Sequence, residues 1–144
     1  MFSKTCEYGI KATLYVAHQS QLNVRTSLKD ISQAIDSPEA FTAKILQLLS
    51  RNGILKSTKG PSGGFEIPEE NRKNIRLSDI VFAIDGNSLY LGCGLGLKEC
   101  NSLQPCPLHD KFMKIRDDLK QMLETTSIEE LANGLNSGLS FLKR

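Results

Sequence analysis

The chain has 144 residues, 40% apolar and 24% charged, with a net charge of +2, which is the size and composition of one ordinary soluble domain, or of a small domain with an appended helical element. No apolar run approaches the ~20 residues that cross a bilayer. Charges at Lys4, Glu7 and Lys11 interrupt what would be the apolar core of a secretory signal, so a cytoplasmic protein is expected, in which structural disulfides are uncommon.

The charge is uneven. Residues 1–67 carry eight Lys/Arg against five Asp/Glu, and residues 68–144 carry ten against eleven. The first half is therefore the better candidate for meeting a polyanion.

Ile10, Leu14 and Ala17 recur at helical spacing, with Tyr8, Ala12 and Tyr15 beside them. They predict a first helix over 4–20. Ser27, three residues before Asp30, caps a short second helix whose apolar face is Leu28, Ile31 and Ile35. In AIDSPEAF, Ser37 is the expected N-cap and Pro38 the first helical residue. Phe41, Ile45, Leu48 and Leu49 form one stripe of a third helix, which Gly53 ends. Two short helices joined by a tight turn, with a helix in front, predict a helix-turn-helix.

ILKST and FEI are strand-formers flanking KGPSGG, a run of turn residues. A two-stranded ribbon directly after the third helix is the wing of a winged helix. PEENRKN reads as a polar linker. Leu77, Ile80, Val81 and Ile84 mark a fourth helix that stops at Asp85-Gly86. Beyond a Gly/Pro-rich loop, Leu108, Phe112, Ile115, Leu119 and Met122 recur at spacings of 4, 3, 4 and 3, an a/d seam over two heptads. Ser127 and Glu130 form a capping box for a last helix.

The expected fold is thus mainly α with a small β-wing: a winged helix-turn-helix followed by a long dimerisation helix. Residues 1–67 form the DNA-binding domain, 68–92 a connecting helix, 93–109 a cysteine loop, and 107–144 the dimerisation and C-terminal helices. The seam needs a partner helix, and a second copy of the chain is the simplest one. Two winged helices would then read a palindromic site in double-stranded DNA.

On the third helix, Glu39, Ala40, Ala43 and Gln47 point away from the core stripe. In a helix-turn-helix this face enters the major groove. Gln47 can pair with an adenine edge, Glu39 can accept from cytosine N4, and the alanines allow close approach. Lys44 can reach a phosphate. On the wing, Lys59 beside Gly60 can enter a minor groove or meet its phosphates, and Lys4 and Lys56 can add phosphate contacts.

The cysteine loop reads Cys93-x6-Cys100-x5-Cys106-x2-His109. Three thiols and an imidazole within 17 residues suit zinc or an iron–sulfur cluster, and spacing alone does not separate the two. Cys6 lies far off and reads as a small buried apolar residue. No Ser/His/acid arrangement suggests nucleophilic catalysis, and GPSGG is no phosphate loop, so an enzyme is not expected.

The stretches EYGIKATLYVA, SLKDIS, LLSRNGIL, STKGPSGGF, IRLSDIVFAIDG, PCPLH and TTSIEELA resemble those of the IscR/NsrR-type iron–sulfur transcriptional regulators over nearly the whole chain. The resemblance implies a homodimer that binds operator DNA, as a repressor, with one cluster per subunit, commonly [2Fe–2S] and open to loss in air. Cys93, Cys100 and Cys106 would supply thiolates. His109 matches the fourth ligand of the IscR-like members. Glu7, on the first helix, matches the acidic ligand of other members and is the alternative. A cluster so held would sense nitric oxide, redox state or cluster supply. Two positions depart from the IscR-like pattern: Ala43 stands where an acidic residue helps discriminate operators, and Lys59 stands where the wing often has arginine. Competing readings are a winged-helix regulator with a structural zinc or a thiol-redox switch, and a protein-interaction module that does not bind DNA.

Overall fold

The computed structural model describes residues 1–143. Its first helix, α1 (Lys4–Gln21), begins at the side chain of Ser3, which accepts from the Cys6 N–H at 3.0 Å. The buried side of α1 is built largely from small residues: Cys6, Gly9, Ala12, Thr13 and Ala17. Other helices therefore approach its backbone closely. A Cβ on Gly9 would lie 2.2 Å from Ile84 Cδ1, so the absent side chain of residue 9 is where the isoleucine packs. The Thr13 hydroxyl, buried on the same face, donates back to Gly9 O at 2.8 Å, which satisfies a polar group that water cannot reach.

Helix α2 (Leu28–Ala34) starts as the capping pattern predicts, with Ser27 Oγ accepting from Asp30 N–H at 3.1 Å. Asp36, at φ 54°, makes the sharp turn into α3 (Glu39–Arg51). The N-cap of α3 differs from expectation by one residue. Pro38, extended at ψ 134°, is the cap, and Ser37 Oγ instead receives the Thr42 hydroxyl at 2.9 Å. Helix α3 ends at Asn52, and Gly53 follows in the left-handed region at φ 74°.

The ribbon is β1 (Lys56–Thr58) antiparallel to β2 (Gly64–Glu66), with Ser57 opposite Phe65. Thr26 adds an isolated bridge to Phe65, fastening the wing to the segment before α2. Glycine is required at the turn. A Cβ at Gly63 would fall 2.1 Å from Thr58 O, and one at Gly64 2.7 Å from Thr26 O.

The segment read as a polar linker is a helix, α4 (Glu69–Asn74), entered through Pro68. It lacks an apolar period because its buried side chain is charged: Arg72 donates from Nε to Glu129 Oε2 at 2.7 Å and from Nη1 to Ile67 O at 2.8 Å. Helix α5 (Leu77–Asp85) ends at Gly86, as expected, and a short α6 (Ser88–Leu91) precedes the cysteine loop. Helix α7 (His109–Thr125) and α8 (Ile128–Asn136) complete the chain, α8 capped by Ser127. Reciprocal backbone bonds from Leu77 N to Thr126 O and from Ile128 N to Ile75 O stitch the start of α5 to the start of α8. Helices α3, α5 and α8 all pack on α1, α4 packs on α8, and α7 packs on α5 and α6. No helix is long and apolar enough to cross a membrane among the described residues.

The apolar face of α7 is wider than the predicted seam. Leu123, fully buried, faces the core, and Met122 is 43% exposed. The inner row is His109, Phe112, Arg116, Leu119 and Leu123, one position out of step with the predicted row except at Phe112 and Leu119, which both rows share. Leu108, Ile115 and Met122 form an outer edge open to solvent, with Ile115 57% exposed. An apolar helix face is wider than one a/d line, so spacing alone did not say which edge turns inward.

Replacing Arg72 with Ala leaves Glu129 half-buried without its cation. Urea unfolding should show a loss of about 3 kcal/mol. A loss under about 1 kcal/mol, the range of an exposed pair, would mean that this ion pair does not anchor α4 to α8.

Candidate functional site

Two surfaces gather the residues singled out in the sequence. The first is the outward side of α3 with the tip of the wing. Thr42, Ile45, Leu46 and Leu49 are buried against the core, and Glu39, Ala40, Lys44 and Gln47 stand in solvent, with Ala43 half-buried beside them. Lys59 and Gly60 are exposed at the wing tip, Gly60 at φ 102°. Among the described residues Lys44 and Lys59 enter no ion pair, whereas Lys4 pairs with Glu7 at 3.3 Å and Lys56 with Glu66 at 3.8 Å. Of the four predicted phosphate contacts, the two free of ion pairs thus lie on the helix and at the wing tip.

Arg25 was not singled out, and it sets the wing. Its Nε donates to Glu66 Oε2 at 2.6 Å and its Nη1 to Ser62 O at 3.3 Å. One guanidinium thereby holds both a strand and the turn of the ribbon. The hydrogen bond from Arg25, with the charges of Arg25 and Lys56, keeps the Glu66 carboxyl below the ordinary carboxylate range.

The second surface is the loop between α6 and α7. The Cys93 sulfur faces the backbone N–H groups of Leu95 and Leu97, which hold its pKa below the usual thiol value, and the Cys106 side chain and Gly96 N–H add to this. Such a nest of N–H groups favours thiolate. Cys100 Sγ lies 3.4 Å from His109 Nδ1 and accepts from Arg116 Nη2 at 3.1 Å. His109 is buried, and its backbone N–H donates to Cys106 O at 3.0 Å. Gly94 lets the loop lie on α7, since a Cβ there would sit 2.4 Å from the Phe112 ring.

The predicted ligands thus stand as two pairs, Cys93 with Cys106 and Cys100 with His109. Among the described residues no three His, Cys, Asp or Glu side chains are placed to hold one ion. Glu7 pairs with Lys4 and lines a shallow hollow with Phe2, Ile10 and Lys11. Cys6 stands apart: burial, then the Asp85 carboxylate, pushes its thiol up to about 12, and such a thiol is inert.

The family model described as Rrf2, iron-dependent transcriptional regulator, matches residues 2–134. The chain belongs to the Rrf2 family. An HTH-type transcriptional regulator of Aquifex aeolicus is 30% identical over 135 residues, covering 92% of each chain. The HTH-type transcriptional regulator IscR of Photorhabdus laumondii is 28% identical over 126 residues, 88% of this chain and 75% of the relative. In fold, the chain is similar to CymR, the global cysteine regulator of B. subtilis, with a TM-score of 0.76 at 24% identity over 92% of this chain and 96% of that one. It is likewise similar to T. potens IscR, with a TM-score of 0.74 at 17% identity over 97% and 91%. This Rrf2 protein is accordingly a DNA-binding transcriptional regulator and not an enzyme.

The Arg25–Glu66 pair gives the wing a pH limit. The folded-state pKa of Glu66 lies below its unfolded value, so the pair contributes fully above the ordinary carboxylate pKa of about 4.3 and is lost as pH falls through the lowered value. In an NMR titration the Glu66 carboxyl of the Arg25→Gln variant should titrate at higher pH than in the wild type; coincident midpoints would remove Arg25 as the cause.

Proposed function

We propose that this Rrf2 protein is a homodimeric repressor that reads a palindromic operator and senses nitric oxide, redox state or cluster supply through a [2Fe–2S] cluster. The observation that carries the reading is the placement of three thiols and an imidazole on one loop that runs directly into α7, the helix with the open apolar edge. Cys93, Cys100 and Cys106 would hold the cluster with His109 as the fourth ligand, or Glu7 in its place. The donor set fits such a group chemically: soft thiols, one imidazole, and backbone N–H groups already directed at sulfur. The two pairs must draw together to hold it, and the glycines of the loop permit that. When bound, the cluster supplies a centre that reacts with oxidants or nitric oxide and changes charge on electron transfer.

The chain's own residues supply the rest. Residues 1–67 present the reading head, with Glu39, Ala40, Ala43, Lys44 and Gln47 toward the major groove and Lys59 and Gly60 toward the minor groove. Lys4 adds a phosphate contact when released from Glu7. Residues 68–92 connect this head to the loop at 93–109. Residues 107–144 carry the pairing surface, for which Leu108, Ile115 and Met122 are available. A shift of the loop against α7 would change how two copies set the spacing of their α3 helices.

A second reading is favoured by one observation. The lowered pKa of Cys93 beside Cys106 suits a thiol-redox switch without a cluster, and a structural zinc would use the same donors.

Anaerobic purification followed by iron and sulfide analysis separates these readings. The cluster reading expects both elements and a visible absorption that is lost in each of the Cys93→Ala, Cys100→Ala and Cys106→Ala variants. Zinc without sulfide would sink it. For DNA, the affinity of the wild type should fall as salt rises, and Lys59→Ala should reduce the slope of log affinity against log salt by about 1. An unchanged slope in anisotropy titrations would remove Lys59 from the phosphate contacts.

A further inference from the structure

Arg116 lies two turns along α7 from His109, within the inner row of Phe112, Leu119 and Leu123. A cation in such a row is costly unless its donors are met. Its Nη1 donates to the carbonyl oxygens of Gly92 at 2.8 Å and Tyr90 at 3.3 Å, and its Nη2 donates to Cys100 Sγ at 3.1 Å. One side chain of α7 therefore holds the loop at its entry and at its second thiol. Two features remain unexplained by that role. Among the described residues Arg116 enters no ion pair. Its Nε is buried and has no hydrogen-bond partner. Buried donors are nearly always paired, and each exception asks for a reason.

We propose that Arg116 is the cationic donor to the metal–thiolate group of this loop, and the strut that fixes the loop to α7. The proposal rests on the cluster reading above. Three thiolates and a neutral imidazole around a [2Fe–2S] unit leave net negative charge, which grows on reduction. A guanidinium directed at Cys100, with its Nε–H unmet, supplies a counter-charge there, and among the described residues no other lysine or arginine donates to that sulfur. Donors to ligand sulfur and nearby positive charge favour the reduced form and raise the reduction potential. Arg116 is thus a positioning and tuning residue, distinct from the ligands.

The test uses the full chain as wild type, Arg116→Met and Arg116→Lys. Methionine keeps apolar volume in the row, and lysine keeps the charge but loses the fork. In metal-free protein, endoproteinase Lys-C cleavage after Lys98, an exposed residue of the loop, should be about tenfold faster in Arg116→Met than in wild type, because cleavage follows the population of the open loop. In protein reconstituted anaerobically with ferrous iron and sulfide, the potential should move to more negative values in Arg116→Met and return most of the way in Arg116→Lys. Equal cleavage rates in wild type and Arg116→Met would overturn the strut, and equal potentials would overturn the donor. If wild type takes up neither iron nor sulfide, the cluster reading itself fails, while faster cleavage of Arg116→Met would still support the strut.

Discussion

Ile84 of α5 occupies the space that a side chain at residue 9 would fill, and this contact sets the distance between the helices around α1. Cys6, Ala12, Thr13 and Ala17 extend the same low surface along the helix. Larger residues there would hold α5 and α8 away, and the buried apolar area that stabilises the fold would shrink with them. The Ser3 hydroxyl donates to Asp85 Oδ1 at 2.6 Å and so ties the start of α1 to the end of α5. Since α5 leads into α6 and the thiol loop, that close packing also fixes where the loop begins.

A continuous physical path follows from this arrangement. Helix α3, the proposed reading helix, packs on α1 and on α5, α5 packs on α7, and α7 carries both His109 and Arg116 at Cys100. Packed contacts of this kind transmit a change only if some element has two stable arrangements that both sites bias. The loop is the element best suited to that role. Its three thiols and His109 stand as two separate pairs, so gathering them around one group, as the proposed cluster would require, is a rearrangement with a defined start.

Much of the architecture was legible in local chemistry. Ser27, Ser127 and Gly53 terminate helices as their residue types predict, and KGPSGG makes the turn of a wing because its backbone passes where a Cβ would clash. The outward face of α3 followed from one buried stripe. Three features were hidden for physical reasons. Helix α4 buries an arginine in place of an apolar stripe, so no period announces it. Arg25 acts on strand and turn residues about 40 positions away, and no local pattern marks such a pairing. Which sulfur meets which partner depends on the path of a glycine-rich loop, and spacing does not encode that path. Arg116 did leave a trace, as the one cation in the row 112, 119 and 123, but the frame chosen for α7 passed beside it.

Phe112 and Leu119 belong to both rows of α7. Leu119 packs on the core and the Phe112 ring lies against the loop at Gly94, and both border the edge left open to solvent. If that edge pairs two copies as proposed, truncating either ring or branched chain would disturb folding and association together, and an alanine scan would confound the two. Ile115 and Met122 are then the clean probes of the proposed self-association, and Leu123 is the clean probe of internal packing.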